Sequence, residues 1–128
     1  LVGKEHVIAG IPFYTRIWSL TPKDTDNVSQ TDTSDSSNYT TSSSVYGMEQ
    51  AAAEVLDNQA TASWDSASGQ NYAEWTKDNV IYKVWLEDSS SMEERLKLVT
   101  GNSLAGAAFW KLGFETSSIW DTVIKYIN

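Results

Sequence analysis

Trp110 closes a run of seven uncharged, mostly small residues, Leu104 to Trp110. Such a run suits a strand buried on both faces. Its glycine and alanines also let a neighbouring backbone or a ligand come close. In α/β sheets and barrels, function gathers at the C-terminal ends of strands. An indole there can offer a flat apolar face to a sugar ring. The competing reading makes Trp110 a core residue that caps the sheet. Tyr14, Arg16 and Trp18 stand at the end of a second apolar run, Val7 to Ile11, with Pro12 closing it. Their spacing equally fits a strand-end tyrosine followed by a surface arginine. Glu87 and Glu115 read most simply as solvated surface carboxylates.

Other chemistries are narrowed by composition. Cysteine is absent and His6 is the single histidine, so thiolate and multi-histidine metal sites are ruled out. Neither a metal nor a cofactor is expected. A net charge of -8 repels phosphate backbones and anionic lipids, which makes nucleic acid an unsuitable partner. No apolar run approaches the roughly 18 residues of a membrane span. Six tryptophans and six tyrosines exceed what core packing needs in 128 residues, and a carbohydrate groove would use the surplus. The start, Leu1-Val2-Gly3-Lys4-Glu5, lacks a signal-peptide pattern and reads as the beginning of an excised fragment.

The elements that must position these residues follow from local pattern. Val7–Ile11 is predicted as a buried strand. Ser19–Ser44 is almost entirely polar and is expected to be a mobile loop; Asn27 and Asn38 in it match glycosylation acceptors. Val45–Asn58 is predicted as a helix with Met48, Ala52, Val55 and Leu56 on its apolar face. Turn signals at Ser68-Gly69 and Asp78-Asn79 divide the next stretch into three antiparallel strands, about 60–66, 71–77 and 80–87. In the third, Val80, Tyr82, Val84 and Leu86 share one face, and Ile81, Lys83 and Trp85 the other. One face should pack on the preceding helix and the other could border a cleft. Ser91–Thr100 is predicted as a helix with a Ser91–Glu94 capping box, a Met92–Leu96–Val99 stripe and a left-handed stop at Gly101. A last helix starts near Ser118, with Trp120, Val123, Ile124 and Ile127 on one face. The two apolar runs would then pair in parallel through a right-handed crossover and keep unpaired outer edges.

Three separated motifs carry a family resemblance. Leu-Ala-Gly-Ala-Ala-Phe-Trp-Lys-Leu-Gly-Phe-Glu, residues 104–115, resembles the last barrel strand of family 18 glycoside hydrolases, the chitinase-like enzymes, and within them bacterial spore and cell-wall glycosylases. Gly-Ile-Pro-Phe-Tyr-x-Arg-x-Trp, residues 10–18, is similar to the seventh strand, with Thr15 where the family commonly has glycine. Trp-x-Glu-Asp-x-x-Ser, residues 85–91, is similar to the family's acidic entry into the following helix.

The resemblance implies an α+β / α/β fragment: the last two strands and helices of a (β/α)8 barrel around a small α+β insertion domain, a helix plus an antiparallel meander. Its parts would be residues 1–20 (strand and start of loop), 21–88 (polar loop and insertion) and 89–128 (helix, last strand, final helix). A whole barrel needs roughly 200 to 250 residues, so this would be one piece of an enzyme. The parent would cleave β-1,4-linked N-acetylglucosamine polymers, chitin or peptidoglycan, by substrate-assisted hydrolysis. Trp110 would be the floor of the sugar subsite, with Tyr14 and Arg16 as substrate-binding walls. No catalytic residue is assigned. The family's Asp-x-x-Asp-x-Asp-x-Glu and Met-x-Tyr-Asp segments are missing from this sequence, so the chain alone is expected not to hydrolyse glycans. The implied setting is bacterial and secreted, or associated with cell wall or spore. Strand-edge self-association or swapping is a further expectation. Two other classes stay open: a non-catalytic carbohydrate-binding module, which needs exposed aromatic rings, and a structural or interaction domain, which needs nearly all of them buried.

Overall fold

The computed structural model of the chain describes residues 2–23, 33 and 35–127. Among them the elements run β1 (Ile8–Pro12), β2 (Tyr14–Pro22), β3 (Tyr39–Gly47), α1 (Met48–Asp57), β4 (Ser63–Asp65), β5 (Gln70–Lys77), β6 (Val80–Leu86), α2 (Ser89–Gly101), β7 (Gly106–Trp110) and α3 (Ile119–Ile124). The fold is α+β. β1 and β7 pair in parallel, Ile8 opposite Gly106 and Pro12 opposite Trp110. The other five strands form an antiparallel sheet in the order β3-β2-β6-β5-β4.

Two apolar clusters hold these layers. The first joins Ile11 and Phe13 to Met48, to the α2 stripe Met92–Leu96–Val99, and to Ile119 and Val123 of α3. The second joins Ile17, Ala73, Trp75, Val84 and Leu86 of the large sheet to Ala51 and Val55 of α1. α1 therefore bridges both, with Met48 in one cluster and its next turns in the other. Phe13, fully buried between β1 and β2, stacks on Phe109 at 4.9 Å and meets Trp120 edge-on at 5.5 Å.

The α2 stripe is as the periodicity predicts, and β5 and β6 fall within a residue of their expected spans. Val84 and Leu86 face α1, as the alternation requires. Several expectations need correction. The Ser19–Ser44 tract is not simply a loop. β2 runs on to Pro22, and β3 pairs with it from Tyr39–Pro22 to Gly47–Tyr14. Serine and threonine serve an edge strand because its outer side chains face water while its backbone pairs inward. The central part of the expected loop, residues 24–32 and 34, lies outside the described residues, and so does Asn27; Asn38 ends a short 3-10 turn.

Val45 belongs to β3, so α1 begins at Met48. Its buried face uses Ala51 and not Ala52, while Leu56 is 76% exposed. The cap of α2 is Asp88, whose Oδ1 accepts from the Ser90 and Ser91 N–H groups at 2.8 and 3.0 Å; Ser91 Oγ accepts from Asp88 N–H in return. Ser91 is thus the third residue of the box and not its cap. Gly101 is the last helical residue, and the left-handed turn falls on Ser103 (φ 52°). In α3 the buried side chains are Ile119, Thr122 and Val123, with Ile124 and Ile127 exposed. Finally, neither β1 nor β7 is buried on both faces. Ala9, Ile11, Ala107 and Phe109 turn to the core, whereas Ile8, Gly10 and Ala108 are exposed on the other side and Ile8 reaches 63%. Helices cover one face only, which leaves the second open.

Candidate functional site

The open face of β1 and β7 ends in a cleft of ≈ 380 Å³ lined by Gly10, Pro12, Tyr14, Ala108 and Trp110 among others. Its geometry follows from the parallel register. Gly10 lies opposite Ala108 and Pro12 opposite Trp110, so the smallest side chains make the trough and the indole stands at its end. Trp110 is 68% exposed. Its backbone is pinned where its side chain is free: the Trp110 carbonyl accepts from Phe13 N–H at 2.7 Å. The Trp110–Lys111 peptide bond is cis.

Beyond Trp110 the chain turns sharply. Gly113 takes φ 92°, a conformation that side chains resist, and its N–H donates to the Glu115 carboxylate at 2.6 Å. Glu115 is therefore committed to its own turn and is not a free groove carboxylate. The turn then seats Phe114, whose carbonyl accepts from Met48 N–H at 2.8 Å. Gly47 makes that approach possible, since a Cβ there would lie 3.1 Å from the Phe114 carbonyl oxygen. Phe114 meets the Tyr14 ring edge-on at 6.4 Å and so fixes the second wall of the cleft.

The three expected site residues divide between two clefts. Trp110 and Tyr14 line the first together. Arg16 is exposed on β2, donates from Nη1 to Ser43 Oγ at 2.9 Å, and borders a second cleft of ≈ 350 Å³ on the outer face of the large sheet. Thr15, Trp18, Ser68, Gln70, Trp85 and the buried Glu87 line that one too. Trp18 shares the face of Tyr14 and Arg16 by strand alternation, a pattern visible in the sequence.

Glu87 contributes to the lining of the second cleft but is not a solvated group. It is 5% exposed. Its carboxylate accepts from Arg95 in a two-pronged pair, from Ser91 Oγ at 2.9 Å and from Gln70 Nε2 at 3.0 Å. Burial pushes its carboxyl above the ordinary glutamate range, against the opposing pull of Arg95 and Ser91. The residue ties β5, β6 and α2 together beneath the second cleft. In sequence, only the eight-residue spacing to Arg95 hints at this. Asp65 shows the opposite shift: hydrogen bonds from Ser68 and the Trp85 indole hold its carboxyl below the usual aspartate range.

A family model described as glycosyl hydrolases family 18 matches residues 2–115, which include both clefts. The chain belongs to this family. Solved structures with the same fold include a chitinase from Chromobacterium violaceum, 18% identical with a TM-score of 0.76, covering 98% of this chain and 34% of that one. The spore cortex-lytic enzyme SleL from Bacillus cereus is 16% identical with a TM-score of 0.77, covering 99% of this chain and 26% of its own. A Cycas revoluta family 18 chitinase mutant, solved in complex with (GlcNAc)4, is 19% identical with a TM-score of 0.61, covering 95% of this chain and 34% of that one. The chain thus spans about a third or less of these relatives. A comparison with curated proteins gives no match. Within the family frame, the 10–18 and 104–115 motifs supply Tyr14 and Trp110 of the first cleft. The 85–91 motif supplies the Trp85 wall of the second cleft and the Glu87–Arg95 tie. No described helix is long and apolar enough to cross a membrane.

Proposed function

We propose that this chain forms part of the glycan groove of a family 18 glycosidase that cleaves β-1,4-linked N-acetylglucosamine polymers, chitin or peptidoglycan. The observation that carries this reading is Trp110, an indole 68% exposed at the end of β7, beside Tyr14 and over a trough made by Gly10 and Ala108. A flat ring above small residues fits a sugar stacked on its apolar face. The Cycas relative, solved with (GlcNAc)4, supports the same ligand class. β1 and β7 are read as the last two barrel strands, with β2–β6 and α1 as the inserted domain. The boundary is drawn at Phe13, between the two sheets, instead of after residue 20. In a substrate-assisted reaction the sugar's own N-acetyl group attacks and a single glutamic acid protonates the leaving oxygen. The motif that carries that acid is missing here, so this chain contributes binding and orientation, and the acid comes from another part of the enzyme. The setting is a secreted or cell-wall or spore-associated one.

A titration with an N-acetylglucosamine oligomer, followed by tryptophan fluorescence and amide shifts, tests the reading. Saturable shifts at Trp110 and Tyr14, lost in Trp110→Ala, are expected. Hydrolysis by the chain alone, surviving Trp110→Ala and repurification, would overturn the assignment of the acid elsewhere. A non-catalytic carbohydrate-binding module is the second reading, favoured by the exposure of Trp18 and Trp64 as well as Trp110. The same exposures weigh against a purely structural domain, which needs those rings in a core.

A further inference from the structure

We infer that Trp18, backed by Trp85, forms a distal sugar subsite on the outer face of the five-stranded sheet, continuing the Trp110 cleft along β2. This rests on the proposed groove and extends it. Tyr14, Arg16 and Trp18 are alternate residues of one strand and point to one side. Tyr14 lines the first cleft, and Arg16 and Trp18 line the second. At about 3.3 Å per residue, Tyr14 and Trp18 lie roughly 13 Å apart along the strand. That is the reach of a short oligosaccharide and more than a single ring spans.

The chemistry of the second cleft is suited to a neutral glycan. Trp18 is 39% exposed and offers an apolar face. Trp85 is locked in place: its indole N–H donates to Asp65 Oδ2 at 3.1 Å and its ring meets Tyr72 at 4.8 Å. The Trp85 carbonyl accepts from Thr15 Oγ1. A platform already held costs little further ordering when it binds. The polar rim can serve hydroxyl and N-acetyl groups. Arg16 has five N–H donors, and among the described residues it bonds Ser43 Oγ with no carboxylate pair. Gln70 commits its amide nitrogen to the Trp85 and Leu86 carbonyls and to Glu87, which leaves its side-chain carbonyl oxygen to accept from a ligand. A polyanion is disfavoured by the net charge of -8. The occupant is therefore the next part of the same uncharged N-acetylglucosamine chain that lies over Trp110.

Indole N–H resonances report each tryptophan separately, so the unmutated chain can be titrated with a disaccharide and a hexasaccharide of N-acetylglucosamine. The hexasaccharide should shift both Trp110 and Trp18 saturably. Trp18→Ala should weaken the hexasaccharide about tenfold, an ordinary loss for a central aromatic contact, and leave the disaccharide within about twofold. Trp18→Phe should recover part of the loss, which separates lost stacking from misfolding. A Trp18 resonance that stays still while Trp110 moves overturns the distal subsite and leaves the groove reading standing. Movement of Trp18 without Trp110 overturns the groove reading and makes the second cleft a site of its own. If neither moves with the hexasaccharide, both fall.

Discussion

The two sheets treat their uncovered faces in opposite ways. The open face of β1 and β7 carries isoleucine, glycine, proline, alanine and tryptophan. No side-chain hydrogen bond among the described residues ties Trp110 down; order comes from the buried side, through Phe13 and the Phe13 N–H to Trp110 carbonyl bond. The outer face of the large sheet is knitted side chain to side chain. Asp65 holds the Trp85 indole, Lys83 donates to Thr33 Oγ1 at 2.7 Å, and the Tyr72 hydroxyl donates to Glu74. Beneath it, Glu87 joins sheet to helix. The difference teaches where each indole gets its position. Trp110 is placed by its backbone, Trp85 by its side-chain partners.

The largest expected effect tests the first half of that contrast. Phe13→Ala should cost about 3–5 kcal/mol, because it empties the stack between Phe109 and Trp120. Denaturant unfolding measures it, and a loss of the Trp110 response to sugar should accompany it. A loss below about 1 kcal/mol would break the claim that the buried side orders the cleft.

Next comes Glu87→Ala, which removes the buried partner of Arg95, whose own side chain is 33% exposed. About 1–3 kcal/mol is expected, for the charge-assisted hydrogen bonds lost, because water can reach Arg95 once its partner is gone. A double-mutant cycle with Arg95→Ala should show strong coupling. Because Glu87 touches no part of the first cleft, oligomer shifts at Trp110 should persist in whatever fraction stays folded.

A pH titration sharpens the contrast at smaller scale. Ser68 and the Trp85 indole depress the Asp65 carboxyl. A group lowered in the folded state contributes stability that is complete above its unfolded value, about 3.9, and disappears as pH falls through its folded value. The Trp85 indole N–H resonance should therefore keep its position through the ordinary aspartate range and move only below it. In Asp65→Asn that acid step should vanish. Movement centred on the ordinary aspartate value would mean that the Asp65–Trp85 bond does not form in solution.

The smallest expected effect is on Trp110 itself. Trp110→Ala removes an exposed ring with no side-chain partner, so stability should change by within about 0.5 kcal/mol, while sugar binding is lost. A large loss of stability would return Trp110 to the core, the competing reading of its sequence.

Much of the frame was legible in the chain. The Met92–Leu96–Val99 stripe, the β5–β6 hairpin and the two apolar runs that pair as β1 and β7 follow from periodicity, because their burial is one-sided or strongly apolar. The edge strand β3 was not, since its serines and threonines pair through the backbone and leave no hydrophobic alternation to read. Trp110 and Tyr14 line one cleft while Arg16 borders the neighbouring one, because β2 belongs to the second sheet and carries its alternate residues away from the first cleft.

By itself the sequence determined residue types and local period: which segments could be strands or helices, and where aromatic rings cluster. Burial was decided by tertiary structure. Glu87 is a buried tie, Glu115 a turn brace and Trp110 an open ring only because of what the fold brings against each. Local pattern records a residue's neighbours along the chain, whereas desolvation, pairing and exposure depend on neighbours that meet only when the sheets and helices pack.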